Sequence, residues 1–185
     1  MPKQKLTHHF LIASPQINDA LFLGTLIYVV RHTDEISWGF IINRAIDDMT
    51  IGNLMDNLGL SCTPNHSQTA VMHGGPVRPE AGYILHTGQP DYRYSLVVDE
   101  NICLTTSQDV LEAICEGSVS HFLLCLGFCH WHKGQLDKQI ANGDWLICPA
   151  DLQILFGTPL DQKYQKACDK IGINPQLLAP ATGHA

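Results

Sequence analysis

The sequence lacks the long apolar runs and the dense charge that mark two broad classes of protein. Its longest apolar runs, Phe10–Ala13, Leu26–Val30 and Phe122–Leu126, span four or five residues, whereas a bilayer-spanning helix needs about 20. The first residues contain two lysines but no apolar segment of the kind found in secretion signals. Charged residues make up 16% of the chain and hydrophobic residues 45%, which excludes a largely disordered protein. We therefore expect a globular, cytoplasmic protein without a membrane span.

Positive charge is scarce in the middle of the chain. Residues 45–132 contain two cations, Arg78 and Arg93, against ten acidic residues, a balance of −8, and the whole chain has a net charge of −7. Lys and Arg contacts to phosphates supply most of the affinity of nucleic-acid-binding proteins. We therefore do not expect direct nucleic acid binding, and we expect an unknown protein partner instead.

Several motifs of enzymes and cofactor-binding proteins are missing. The chain has no G-x-x-x-x-G-K-[ST] loop, no G-x-G-x-x-G and no G-x-S-x-G, so phosphate cradles, dinucleotide sites and a serine nucleophile elbow receive no support. The seven cysteines show no pairing framework, and in a cytosolic chain they are expected to be reduced and mostly buried. Five occupy apolar settings: Cys103, Cys115, Cys125, Cys148 and Cys168. We expect no cofactor, and the balance of these features favours a protein without catalysis.

One short segment contains residue types that bind zinc. Cys129-His130-x-His132 follows Cys125 by four residues, and thiolate and imidazole are zinc ligands. The spacing is poor, however, because neighbouring residues of a strand point to opposite faces and no second C-x₂₋₄-C pair exists. A pair of loop histidines beside a buried cysteine is the simpler interpretation, and we expect no metal.

Periodicity predicts about nine strands and four or five helices in irregular order. The strand candidates are His9–Ala13, Thr25–Arg31, Trp38–Asn43, Ala70–His73, Tyr83–His86, Leu96–Asp99, Ile102–Thr105, His121–Gly127 and Trp145–Cys148. The helix candidates span residues 51–58, 108–116, 135–142, 152–156 and 160–171. The predicted cap residues are Thr50, Ser107 and Asp151, and the predicted stops are Gly59, Gly117, Gly143 and Gly172. The inward strand positions predict a core of Phe10, Ile12, Ile27, Val29, Ile41, Leu85, Leu124, Leu126 and Leu146.

Paired strands without intervening helices argue against a doubly wound parallel sheet. We therefore predict an α+β fold with a mixed, largely antiparallel sheet that could curl into a barrel-like shape. The length favours a single domain over residues 1–185, with a loosely ordered tail from 175 to 185.

Two connections contain the residue types from which a binding site could be built. In His73-Gly74-Gly75-Pro76-Val77-Arg78, the two glycines permit a close approach of the backbone or an anion-binding nest. The alternative is a tight turn that locks two chain crossings together. Asn43-Arg44 and His86 end predicted strands, while Trp131 and Gln135 lie in a glycine-flanked strand-to-helix connection. A salt bridge for Arg44, a structural role for His86 and a core lid for Trp131 are the simpler interpretations.

Collinear motifs resemble the bacterial AlgH/YqgE family. They include the opening H-F-L-I-A-S-P of residues 9–15, the strand W-G-F-I-I-N-R of residues 38–44, and G-G-P-V of residues 74–77. Shorter matches are Leu85-His86, Leu126-Gly127-Phe128, Trp131, Gly134-Gln135-Leu136 and Asp144-Trp145-Leu146. The chain departs from the family pattern at Ala45, where proline is usual, at Cys129, His130 and His132, and at Asp137. The cysteine and histidine substitutions argue against a family-wide metal site there.

The resemblance implies a single α+β domain with no established activity and no cofactor, and with members labelled transcriptional regulators. We therefore expect a regulatory or interaction protein that works through protein partners. The alternative is a small-molecule or anion-binding protein, or a hydrolase-like enzyme, that uses the Gly74–Arg78 loop. On either interpretation, the candidate binding residues are Asn43, Arg44, Gly74, Gly75, Pro76, Arg78, His86, Trp131 and Gln135.

Overall fold

The structure, a computed structural model, describes residues 5–178. The described residues contain ten strands. They are β1 (His9–Ala13), β2 (Leu26–His32), β3 (Ile36–Ile41), β4 (Ala45–Thr50), β5 (Ala70–His73), β6 (Val77–Thr87), β7 (Ser95–Asp99), β8 (Ile102–Thr105), β9 (Phe122–His132) and β10 (Trp145–Pro149).

Five α-helices accompany the strands: α1 (Ile51–Asn57), α2 (Pro64–Ser67), α3 (Asp109–Cys115), α4 (Gln135–Ala141) and α5 (Leu160–Lys170). A π-helix spans Gln153–Gly157 and a 3-10 helix spans Pro175–Leu177. The paired strands are largely antiparallel, with β5 and β9 running parallel. The predicted α+β class with a mixed, largely antiparallel sheet is therefore confirmed. The proposed extents of domain and tail stay predictions, and residues 179–185 lie outside the described residues.

The residues group into two compact units. We call Met1–Gly39 with His130–Ala185 the split unit and Phe40–Cys129 the central unit. The boundaries fall within β3 and β9.

The split unit is built around β1, which pairs antiparallel with both β2 and β10. Four consecutive β1 residues, Phe10–Ala13, have no exposed surface, so both faces of this strand are covered. Helix α5 contacts β1 through Tyr164, whose hydroxyl donates to the Ala13 carbonyl at 2.6 Å. Its neighbour Lys163 is buried and donates from Nζ to the Leu155 carbonyl in the π-helix at 2.6 Å.

The central unit places helices α1 and α3 over strands of its sheet. Strand β6 pairs antiparallel with β8 and β9, and β7 completes a hairpin with β8. Thr50 caps α1 in a reciprocal capping box with Asn53, and Gly59 follows the helix with φ +70°, as the sequence predicts. The core between helices and sheet includes Ile51, Met55, Ile84, Val110 and Ile114.

Two local predictions are wrong. Strand β4 has no counterpart among the predicted strands, because its sequence AIDDMT contains two aspartates, which strands disfavour, and its register with β5 is interrupted between Ala45 and Thr50. Ser107 does not cap α3. The helix begins at Asp109, whose carboxylate accepts from the Ser107 hydroxyl and from the Val110 amide.

Most of the predicted core is confirmed. Seven of the nine residues are buried, and the five predicted cysteines are buried as well. Leu126 and Leu146 are half-buried instead. For Leu126 the reason is visible, because its side chain lines an open groove described below.

Candidate functional site

The Gly74–Gly75 segment makes a close backbone contact. The Gly74 amide donates to the Leu126 carbonyl at 2.8 Å. A Cβ added to Gly75 would lie 2.2 Å from the carbonyl carbon of Phe128, and one on Gly74 would lie 2.4 Å from the Gly127 oxygen. Both glycines are buried, so space rather than ligand binding requires them. This close contact agrees with the alternative of a lock between chain crossings, and the use of the loop in binding stays a prediction.

Residues Asn43 and Arg44 connect β3 to β4 and are half-buried. The Arg44 carbonyl accepts from the His73 amide at 2.8 Å, so this connection lies beside the end of β5, next to Gly74. The structure therefore brings Arg44 and the two glycines together through main-chain contacts.

The exposed residues of the predicted loop are Pro76 and Arg78. Arg78 has φ +47° and its Nε lies 3.5 Å from Oε1 of Glu80, with about two thirds of each side chain exposed. Such an exposed pair contributes little to stability. Nothing in this arrangement encloses an anion.

His86 is buried within a polar network at the opposite end of β6. Its Nε2 lies 2.8 Å from Thr105 Oγ1, which lies 2.7 Å from Ser95 Oγ, and its Nδ1 lies 3.1 Å from the Thr87 carbonyl. The Tyr92 ring packs edge-on at 5.4 Å. Burial lowers the pKa of His86, although the Thr87 carbonyl opposes this effect. The network ties β6, β7 and β8 together and holds a neutral imidazole.

Arg78 and His86 are eight residues apart in β6. At 3.3 Å per residue they are separated by roughly 25 Å along the strand. The candidate residues of the central unit therefore do not form one cluster around His86.

Trp131 and Gln135 belong to the split unit and have structural contacts there. The indole Nε1 atoms of Trp131 and Trp145 both donate to Oε1 of Gln139, at 2.9 and 2.8 Å. Gln135 is exposed, and its Oε1 accepts from the His132 amide at 3.0 Å, which secures the start of α4. We call the two tryptophans with Gln139 the tryptophan clamp.

The segment with zinc-ligand residue types is not arranged as a metal site. Cys129 is buried, and burial raises the pKa of its thiol to about 12. The His130 and His132 rings pack edge-on at 4.8 Å. Within residues 5–178, no group of three or more His, Cys, Asp or Glu side chains could hold a metal ion.

A groove that the sequence analysis did not identify lies on the central unit. It has a volume of about 270 Å³ and an apolar floor and walls. Strands β6 and β9 form the floor with Gly82, Ile84, Leu124 and Leu126. Leu54 of α1, Leu58 directly after α1 and Leu111 of α3 form the walls. Glu80, Thr106, Ser107 and Gln108 form the polar rim. We call it the α1–α3 groove.

A second depression borders the same helix. It has a volume of about 230 Å³ and is lined by Leu60, Ser61, Glu112, Cys115 and Glu116. Cys115 lies beside Cys62, and burial together with this neighbour raises the pKa of the Cys115 thiol to about 11. Because a thiol with such a pKa stays protonated near neutral pH, it is a poor nucleophile.

The groove could not be recognised as a site from the sequence. Its leucines have the same spacing as core residues of α1, α3 and β9, and the half-exposed position of Leu126 depends on what the helices leave uncovered. Gly82 directly precedes the predicted strand Tyr83–His86 and lies inside the observed β6, where a glycine often marks a close approach of a ligand or another chain.

Comparisons with known proteins agree with the fold and the length of the chain. A family model described as AlgH-like matches residues 10–176. A UPF0301 protein of Psychrobacter cryohalolentis is 46% identical and covers 100% of both chains. A UPF0301 protein of Neisseria meningitidis is 38% identical over 97% of this chain and 99% of its own.

Two solved structures share the fold. The solution structure of the AlgH protein from Pseudomonas aeruginosa superposes with a TM-score of 0.80, at 33% identity and with 100% of both chains covered. The crystal structure of protein DIP2367 from Corynebacterium diphtheriae has a TM-score of 0.74 at 18% identity, covering 97% and 94% of the two chains. No helix within residues 5–178 is long and apolar enough to cross a membrane.

Proposed function

This chain belongs to the AlgH-like family, and from that premise we propose that it is a non-catalytic regulatory protein that acts in the cytoplasm through protein partners. The family assignment rests on a match to most of the chain and on relatives of the same length. The regulatory role and the partners are our proposal.

The observation that carries the proposal is the unequal distribution of charge. The central unit contains three arginines against ten acidic residues, a net charge of −7, whereas the remaining residues contain eight cations and eight anions. A surface of this sign repels the phosphates of nucleic acids and favours a cationic partner. Regulation by direct DNA binding would need the opposite distribution.

The thiols support the cytoplasmic location. All seven cysteines are free, and six of them are buried. Free thiols persist in reducing compartments, whereas secreted proteins of this size often contain disulfides.

The alternative functions receive less support from the structure. A ligand site in the Gly74–Arg78 loop would need open amides, but Gly74 donates to Leu126 and both glycines pack against the β9 backbone. A hydrolase would need a nucleophile and a base open to substrate, whereas the Thr105 hydroxyl and the His86 imidazole, although 2.8 Å apart, are both fully buried.

Two measurements with the purified protein test the proposal. The first is capture of proteins from the native cytosol, identified by mass spectrometry. We expect specific capture that weakens as salt is raised, because exposed charges are screened. The second is a band shift with double-stranded DNA, in which we expect no shift. A sequence-specific, salt-sensitive shift at nanomolar protein would overturn the proposal, and so would the absence of any captured protein.

A further inference from the structure

Residue 82, which has no side chain, forms part of the floor of the α1–α3 groove. Gly82 pairs with Leu126 in the β6–β9 ladder, and its φ lies outside the left-handed region. A Cβ added there would meet only Leu126 Cδ2, at an ordinary contact distance of 3.8 Å. Neither backbone conformation nor crowding therefore requires glycine at this position.

A glycine in a strand is otherwise a cost, because it weakens the strand and leaves apolar neighbours uncovered. Here the uncovered neighbours are leucines. Leu58 is 45% exposed, and Leu54 and Leu126 are half-buried. The vacant position thus leaves a small apolar recess that another side chain can fill.

The helices beside the recess are acidic, and Arg93 lies next to Asp109 at the start of α3. Helices α1 and α3 contain Asp56, Asp109 and Glu112 but no lysine or arginine. On β6 the cation is Arg78, which is paired with Glu80 on the groove rim. An occupant that presents apolar side chains to the floor must therefore present cations to the rim.

The two depressions are neighbours along α3. Leu111 lines the first, and Glu112, Cys115 and Glu116 line the second. A helix docked along both depressions would bring its cationic flank next to Glu112 and Glu116.

We propose that the α1–α3 groove and the neighbouring depression dock a cationic amphipathic helix of a protein partner, with an apolar side chain filling the space above Gly82 and lysines or arginines facing Glu80, Glu112 and Glu116. This inference rests on the proposed function, since it names the surface and the kind of partner. A helix laid into an apolar groove is a common mode of peptide recognition.

The test uses the full chain and three synthetic peptides, followed by fluorescence anisotropy. The first peptide has leucine on one helical face and lysine on the other. In the second, glutamate replaces every lysine, and in the third, serine replaces every leucine. We expect the wild-type protein to bind the first peptide and neither of the others, because both the apolar face and the positive charge are needed.

Filling the recess is the decisive variant. Gly82→Leu should weaken binding of the leucine–lysine peptide by about tenfold or more, while Gly82→Ala should have a smaller effect because it adds only a Cβ. A cooperative thermal unfolding transition in each variant serves as the control that the variant is folded. Gly82→Ala also covers the case in which Gly82→Leu fails to fold.

Charge on the rim is tested with a matched pair of double variants. Glu112→Gln with Glu116→Gln should weaken peptide binding several-fold. Asp47→Asn with Glu100→Gln removes the same charge from exposed positions of the central unit outside both depressions, and it should change binding much less.

Each outcome decides the inference separately from the proposed function. Three results would overturn the docking role of the groove. They are equal binding of the serine–lysine and leucine–lysine peptides, equal weakening of binding by the two double variants, and unchanged binding in both Gly82 variants. Native proteins captured by the wild type would then still support the proposed function. No binding of the leucine–lysine peptide would likewise overturn the groove, and only the capture experiment would decide whether the protein has partners.

Discussion

The split unit and the central unit differ in charge. The split unit contains equal numbers of cations and anions, whereas the central unit has a net charge of −7. Their interiors are alike in two respects. Each contains a glycine whose added Cβ would press against backbone, Gly39 in the split unit and Gly75 in the central unit, and each has an open apolar depression. Under the proposed function, charge is therefore what selects the central unit as the one that meets a cationic partner.

The two units also contain different kinds of packing contact. In the split unit a single glutamine oxygen satisfies two buried indole N–H groups. In the central unit the contact between β5 and β9 depends on the absence of side chains at Gly74 and Gly75. The hydrogen bonds of the buried indoles and the close backbone contact at the glycines therefore need separate tests of their contribution to stability.

The largest effect is expected at the glycine contact of the central unit. Gly75→Val places a side chain where 2.2 Å separates the added Cβ from the Phe128 carbonyl carbon. Because backbone rather than a flexible side chain is the obstacle, we expect destabilisation of more than about 4 kcal/mol, or failure to fold. Gly82→Ala is the matched control and should shift the melting temperature little. A Gly75→Val protein with the same melting temperature as the wild type would show that the close contact between Gly75 and Phe128 does not stabilise the fold.

The tryptophan clamp should give the next largest effect. Gln139→Ala removes the acceptor of both Trp131 and Trp145, whose indoles are buried. Leaving two buried donors unsatisfied should lower the free energy of unfolding by about 2–4 kcal/mol in urea denaturation. Gln139→Glu keeps an acceptor oxygen and should recover most of the loss. Equal losses in the two variants would show that shape, rather than hydrogen bonding, stabilises the clamp.

His86 should make the stability of the central unit depend on pH. Burial lowers the pKa of His86 in the folded protein below the ordinary value of 6.5, which applies to the unfolded chain. At a pH between the folded and unfolded pKa values, the unfolded chain therefore binds the proton more readily. The stabilising contribution is therefore complete above about pH 6.5 and is lost as the pH falls through the lower, folded pKa.

Urea unfolding over this pH range measures the effect. His86→Gln should be less stable near neutral pH, because the contact with Thr105 changes, but its unfolding free energy should decline less as the pH falls. If wild type and variant show parallel declines, another histidine is responsible.

The smallest effect on stability is expected at Arg78. Its pair with Glu80 is exposed, so Arg78→Ala should change the free energy of unfolding by less than about 0.5 kcal/mol.

The double variant Arg44→Ala with Arg78→Ala tests whether the loop surface predicted from the sequence contributes to partner capture. Reduced capture with little change in melting would support that surface, and unchanged capture would remove it.

Local patterns were enough to predict most elements of both units. Strands β1, β5 and β8 were predicted with the bounds that the structure shows, and the cap and stop residues of α1 were identified. These elements are specified by neighbouring residues, namely apolar alternation and a threonine or glycine at a helix end. Strand β4 was missed because its own sequence disfavours a strand, and only its pairing with β5 makes it one.

The candidate site shows the limit of the same reasoning. Gly74, His86 and Trp131 were singled out from local sequence, and each makes a long-range contact that local sequence does not reveal. Gly74 packs against Gly127 and Cys125, His86 bonds to Thr105, and Trp131 shares an acceptor with Trp145. Their use as binding residues stays a prediction.

Composition, periodicity and charge along the chain determined that this protein folds as α+β, buries its cysteines and concentrates acidic residues in its middle, because these properties are read from nearby residues. Which apolar surface stays open was decided only by the tertiary structure. Leu54 and Leu111 are on different helices, and Leu126 and Gly82 are on paired strands. Whether these residues enclose or expose a recess depends on how closely α1 and α3 pack over the sheet. The sequence does not reveal this distance, because a leucine that faces a neighbouring helix and a leucine that faces an empty position have the same local sequence pattern.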